Sequence, residues 1–279
     1  MAKTEVLEYV KGIGEVHRSY DPFDKQLADL REDGIKSPVS VRDAAYIRVH
    51  GHNTNYTRTC HAPVCAKDSP VIVARMSLLV KNMEMAEQAV QAHRNSQYPV
   101  VDDDFRIYAQ WEKIAKQDAV KAPEKRRAII LPQRGNYRIN RDSDEARFFF
   151  QDTIHTPNSD NDYFVKFVKG DSIPVLQIPV SAVDSANGTI VNYVGFDGPE
   201  VESNLYFRGR NLDVDYRALG VRKSAEGTSQ KNSAVLLYTQ RELTQTLSIL
   251  EEIRQGKVRI SDLKGKVAKV AQFLQRLKQ

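Results

Sequence analysis

Cysteine is scarce, with 2 residues in a chain of 279. That is too few for a disulfide framework, so the expected compartment is a reducing cytoplasm. Long apolar runs are missing too. The best candidate, Pro70 to Val80, is interrupted by Arg75 and falls well short of the roughly 18 residues that would give a membrane-spanning helix. Met1 to Glu8 lacks the apolar centre of a signal peptide. There is no Gly-x-x-x-x-Gly-Lys-[Ser/Thr] phosphate loop, no Gly-x-Gly-x-x-Gly after a strand, no Gly-x-Ser-x-Gly elbow and no His-Glu-x-x-His. These absences disfavour most familiar nucleotide enzymes and hydrolases. No self-similarity at a period of roughly 20 to 50 residues marks a repeat array.

The residues that are present fit a folded body with an appendage. A hydrophobic content of 41% and a charged content of 28% are ordinary for a globular chain, and this length can bury a full core. The pattern reads as an α+β body over 1–229, an antiparallel or mixed sheet flanked by helices, followed by a C-terminal amphipathic helical hairpin or arm over 230–279. Ser224 to Ser233, rich in Ser, Gly, Thr and Lys, reads as the linker.

Within the body, Asp21-Pro22 starts a predicted helix that Gly34 ends, while Glu5 to Val16 stays ambiguous because Gly12 and Gly14 weaken helix and strand alike. Tyr46 to Val49, Tyr56 to Thr59 and Val71 to Leu79 have strand character. Asn82 caps a predicted helix over Met83 to His93, and a second helix is expected from Asp102 to about Lys121, with Tyr108, Trp111 and Ala115 on a core-facing stripe. A short strand over Ala128 to Leu131 follows, then a helix carrying Phe148 to Phe150 behind an Asp142/Glu145 capping box. Tyr163 to Val168, Val175 to Val183 and Thr189 to Phe196 read as strands. Asn187-Gly188 is expected to turn the last two into an antiparallel hairpin, and Pro174 and Pro179 put the first of these at an edge or bulge. Leu205 to Arg208 and Leu212 to Tyr216 add short strands.

The scarce soft donors are concentrated. Residues 50–65 hold both cysteines and three of the 6 histidines. A zinc site would draw four ligands from His50, His52, Cys60, His61 and Cys65. Cys-x-x-x-x-Cys is a usual ligand spacing, and His-x-His on an extended segment directs both rings to one face. Cys60 and His61 are adjacent, so they cannot easily both ligate from an extended chain. The plainer reading is polar loop histidines and two small buried cysteines. Over these few residues His50-Gly51-His52 with Tyr56 is similar to the paired histidines and nucleophilic tyrosine of HUH-type nickases and relaxases, which implies metal-assisted attack on a phosphodiester. The chain departs from that pattern, since the middle position there is hydrophobic and the tyrosine lies on a separate helix.

Charge is unevenly placed. The net charge is +5. From 257 to 279 seven basic residues (Lys257, Arg259, Lys264, Lys266, Lys269, Arg276 and Lys278) face one acid, Asp262, so this segment carries +6 and the preceding 256 residues −1. The same segment places Ile260, Leu263, Val267, Val270, Leu274 and Leu277 at 3-4 spacing, an apolar seam that a partner or the chain's own body must cover. A second basic stretch contains Lys125, Arg126, Arg127, Arg134, Arg138 and Arg141, with Tyr137 among them, an interleaving that suits a nucleic-acid surface. Asp142, Asp144 and Glu145 dilute it. A solvated basic face is the plainer reading of both.

The leading expectation is a non-enzymatic subunit of a larger macromolecular assembly, contacting other protein subunits or nucleic acid through the basic C-terminal helix. One alternative is a metal-dependent enzyme acting on a phosphodiester through 50–65, with zinc as the metal the donors suit. The other is a small-molecule enzyme whose pocket has no sequence-visible motif.

Overall fold

A computed structural model describes residues 4–222 apart from 52–55, 157–158, 169, 199–202, 210–211 and 214–215. The linker, the boundary at 229/230 and the C-terminal arm lie outside the described residues. The chain opens with a hairpin of β1 (Glu5–Val10) and β2 (Gly14–Asp21), turned by Gly12 (φ 85°) and Gly14 (φ 127°). The two glycines that made this stretch ambiguous are thus its turn. α1 (Phe23–Glu32) follows, with Pro22 at its N-cap, and buries Phe23, Leu27 and Leu30.

α2 (Val41–Val49) replaces the strand expected at 46–49. Ser40 accepts the Asp43 amide at 3.0 Å, and Val41, Ala44, Ala45 and Arg48 are buried at helical spacing. A side-chain cap with a 3.6-residue period outweighs the β-branched residues at its end. Then come β3 (Thr57–Arg58), β4 (Ala62–Cys65), β5 (Ile72–Ala74), a single turn α3 (Leu78–Lys81) and α4 (Met83–Arg94), the last capped by Asn82 as expected. The helix expected from Asp102 starts later. β6 (Val100–Asp102) runs through that residue, and α5 (Arg106–Asp118) begins where Asp102 Oδ2 accepts the Ile107 amide at 2.7 Å.

β7 (Ala128–Ile130), β8 (Tyr137–Asn140) and α6 (Asp144–Phe150) follow, with Ser143 rather than Asp142 as the cap of α6. The strand expected at 163–168 is α7 (Tyr163–Phe167). Asp162 Oδ1 accepts the amides of Phe164 and Val165, a cap that fixes a helical turn despite the β-favouring side chains. The next expected strand divides into β9 (Ser172–Leu176) and α8 (Val180–Ser185), which starts at Pro179. β10 (Thr189–Val191), β11 (Gly195–Phe196), β12 (Leu205–Tyr206) and β13 (Tyr216–Arg222) complete the described chain.

Among the described residues the strands form an eight-stranded sheet in the order β1-β2-β13-β3-β11-β12-β9-β8 and a five-stranded sheet in the order β6-β10-β4-β5-β7. Pairing is antiparallel except at β12/β9 and β13/β3, so this is an α+β fold with one mixed and one antiparallel sheet. The expected Asn187-Gly188 hairpin does not form. β9 lies between β8 and β12, so Pro174 is on an inner strand, while β10 lies between β6 and β4. The residues expected as one strand, 189–196, serve both sheets, β10 in one and β11 in the other. At the crossing Asn192 donates to the carbonyls of Phe207 at 2.8 Å and Gly209 at 3.0 Å.

Two cores result. Phe148, Phe149, Phe150, Tyr163, Phe196 and Phe207 centre one. Phe23, Leu27, Trp111 and Tyr193 belong to the other, so the aromatic stripe of α5 is core packing. β4 serves both by alternation, with Ala62 and Val64 in the second core and Cys65 in the first. Among the described residues no helix is long and apolar enough to cross a membrane.

Candidate functional site

Of the five expected metal donors, His50 ends α2, with Nδ1 2.8 Å from the Tyr46 carbonyl oxygen and its ring stacked on Tyr46. His52 lies outside the described residues. The Cys60 thiol donates to the Arg75 carbonyl at 3.4 Å, and Cys65 is buried in β4. Burial pushes both thiols up to about 12, which keeps them protonated at neutral pH. His61 is wholly buried, its ring against the edges and faces of Phe148 and Phe149, and neither ring nitrogen has a hydrogen-bond partner among the described residues. Burial first, and then the nearby Arg75 charge, pushes its pKa down to about 3, so it is a neutral imidazole. Among the described residues no three His, Cys, Asp or Glu side chains gather as a metal-binding group. His50 closes a helix and Cys65 follows the alternation of β4, so their backbone directions come from core packing.

The 125–141 basic stretch is largely paired with acids. Arg126 reaches Asp144 at 2.9 Å and also donates to the carbonyls of Ala119 and Lys121. Arg127 binds Asp118, Arg134 binds Asp184, and Arg141 binds Asp162 at 2.5 Å. Arg138 donates to the Ser172 hydroxyl and carbonyl. Lys125 is exposed on a 3-10 turn, Pro123–Lys125. Lys257, Arg259, Lys264, Lys266, Lys269, Arg276 and Lys278, and the seam from Ile260 to Leu277, lie outside the described residues.

The chemistry-bearing residues that the fold does bring together line a cavity of about 440 Å³. Its walls are the 37–40 segment leading into α2, the first turn of α2, Arg75 and Met76 after β5, the turn at Gln151 and Asp152, and Val221 of β13. Backbone bonds from Val39 to Leu219 and from Cys60 to Val39 tie these walls to the eight-stranded sheet. Arg42 grips Asp152 in two-pronged fashion, Nε to Oδ1 at 2.7 Å and Nη2 to Oδ2 at 2.8 Å, while Nη1 reaches Asp43 at 2.8 Å. Arg42 holds the Asp152 carboxyl below the usual carboxylate range, and its own affinity for its proton rises, first through Asp152. Gln151 closes α6 at φ 50°, ψ −120°, a backbone state that a side chain disfavours.

Arg75 is held differently. Nε donates to the Arg126 carbonyl at 2.8 Å and Nη2 to the Pro123 carbonyl at 3.2 Å, and the guanidinium carbon lies 4.5 Å above the Phe148 ring centre. Burial disfavours its charged form, which the charge of Glu124 partly offsets, and among the described residues no carboxylate lies within ion-pair distance of it. A second cavity of about 350 Å³, lined by Tyr98, Val100, Ala182 and Ile190 among others, has no charged lining residue among the described residues.

Sequence reasoning reached Cys60 but missed Arg42, Arg75, Asp43 and Asp152. One signal was visible: Arg75 interrupts the most apolar run of the chain, where a charge must have a use or a partner. Asp152 lies 110 residues from Arg42, and no local pattern announces that pairing. No protein-family model, no curated protein and no solved structure matches this chain.

Proposed function

We propose that the protein is a non-enzymatic subunit of a larger macromolecular assembly, contacting partner subunits or nucleic acid through its basic C-terminal segment, 257–279. One observation carries the reading. The arginines of the rival basic stretch, Arg126, Arg127, Arg134 and Arg141, are each matched to an acid. The uncompensated positive charge of the sequence then falls to 257–279, where it accompanies an apolar seam of 3-4 spacing. Such a seam buries nothing by itself, and its basic flank suits an acidic or polyanionic surface.

The rival, a metal-dependent phosphodiester enzyme using residues 50–65, has less support. His61 is packed against Phe148 and Phe149, and among the described residues no three His, Cys, Asp or Glu side chains gather as a metal-binding group. Native mass spectrometry of the full chain and of a chain ending at 256 tests both readings. The proposal expects bound subunits or nucleic acid that are lost on truncation, together with polyanion binding whose salt dependence flattens. Unchanged mass and unchanged polyanion binding after truncation defeat it, and stoichiometric metal released by Cys60→Ser would favour the rival.

A further inference from the structure

We propose that the cavity between α2 and Arg75 binds a small organic monocarboxylate, whose carboxylate pairs with the guanidinium of Arg75 and whose apolar body lies against Pro38, Val39, Met76 and Val221. The first support is the way Arg75 is held. Its Nε and Nη2 donate to two backbone carbonyls and its face is stacked on Phe148, so the group is fixed before any ligand arrives. Arg75 lines the cavity, and its Nη1 makes no hydrogen bond to the described residues, which leaves that nitrogen as a donor for a ligand carboxylate. A preorganised arginine loses little side-chain entropy on binding.

The second support is the charge of the opposite wall. Arg42 is matched by two acids, Asp43 and Asp152, so that group of three is formally −1. Both oxygens of Asp152 accept from Arg42, while those of Asp43 accept from Arg42 and from the Ser40 hydroxyl. These carboxylates are satisfied, so they draw an amine weakly. They repel anions, a phosphate dianion more strongly than a monocarboxylate, so a ligand with a single negative charge paired to Arg75 is favoured over one with two. The size, about 440 Å³, is that of a small-molecule site.

The test titrates the full-length protein with hexanoate, hexanol, hexylamine and inorganic phosphate, followed by NMR. Saturable hexanoate binding is expected, about tenfold or more tighter than hexanol, with phosphate and hexylamine weaker. The hexanoate methylenes should show intermolecular contacts to the Met76 methyl and to the methyls of Val39 and Val221. Arg75→Gln should lose about tenfold or more and Arg75→Lys less. Arg75→Gln also removes the bonds to Pro123 and Arg126, so the methyl contacts in the unmutated protein decide the location on their own. Absence of saturable hexanoate binding, equal binding of hexanol, tighter binding of phosphate, or binding without those methyl contacts would each overturn the proposal.

Discussion

The Asp118 carboxylate, 1% exposed, accepts the Arg127 backbone amide at 2.8 Å and both the Nε and the Nη2 of Arg127 at 2.9 Å, with Lys121 a further 2.7 Å neighbour. It ties the end of α5 to the start of β7. Arg127 is the first cause of a carboxyl pKa well below the ordinary value, so this stability is present above the unfolded-state pKa of about 3.9 and is lost as pH falls toward the lower folded value. Asp118→Ala should cost about 2 kcal/mol at neutral pH, and its stability deficit should shrink in acid. Denaturant melts at several pH values check this.

His61 titrates over a different window. Its folded pKa, about 3, lies below the ordinary imidazole value, so the unfolded chain binds a proton first as the medium is acidified. The stability that His61 contributes is fully present above about pH 6.5 and drains away as pH falls toward 3. Asp197 runs the other way, because burial pushes it up to about 6 and acid therefore relieves it. His61→Phe, filling a site already walled by Phe148 and Phe149, should remove a few kcal/mol of pH dependence between 6.5 and 3 relative to the parent. A parallel pair of stability–pH curves would disprove this.

Ser40 caps α2 and also donates to Asp43. Replacing it with Ala should lower stability by about 1 kcal/mol, seen as a shift of the denaturant midpoint with unchanged slope.

Gly188 has φ 143°, and a Cβ placed there would fall on the Asp102 carbonyl at the β6/β10 junction. Gly188→Ala should therefore cost roughly 2 to 4 kcal/mol, combining an adverse backbone state with a steric conflict in the sheet. Amide exchange across β6 and β10 should quicken before the rest of the fold responds.

The fold class and several elements were legible in the sequence wherever a local signal and the tertiary outcome agree. Asn82 caps α4, Tyr108 and Trp111 face the core, and β7 sits where its apolar run lies. Misreadings came where a short polar cap overrides β-favouring side chains, as at Ser40 before α2 and at Asp162 before α7. Pairing partners were illegible. Asn187-Gly188 predicts a hairpin turn, but Gly188, at φ 143°, leads into β10, which pairs antiparallel with residues 100–102 of β6. The donor-rich stretch could not reveal from composition that β4 alternation would hold Cys65 in one core. The cavity joins residues from 37 to 221, so its only sequence trace was a charge within an apolar run.

β13 completes the eight-stranded sheet from its interior. Its residues 216–222 touch β3 at Arg58 and pair along β2, a strand made about two hundred residues earlier in synthesis. At roughly 5 to 20 residues per second, some 10 to 40 s separate the emergence of the N-terminal hairpin from that of the strand that covers it. Throughout that interval β2 offers an unpaired inner edge to any extended chain nearby. Synthesis that stops before residue 216 would thus leave β2 without its β13 partner, so chaperone capture during translation should centre on residues 14–21.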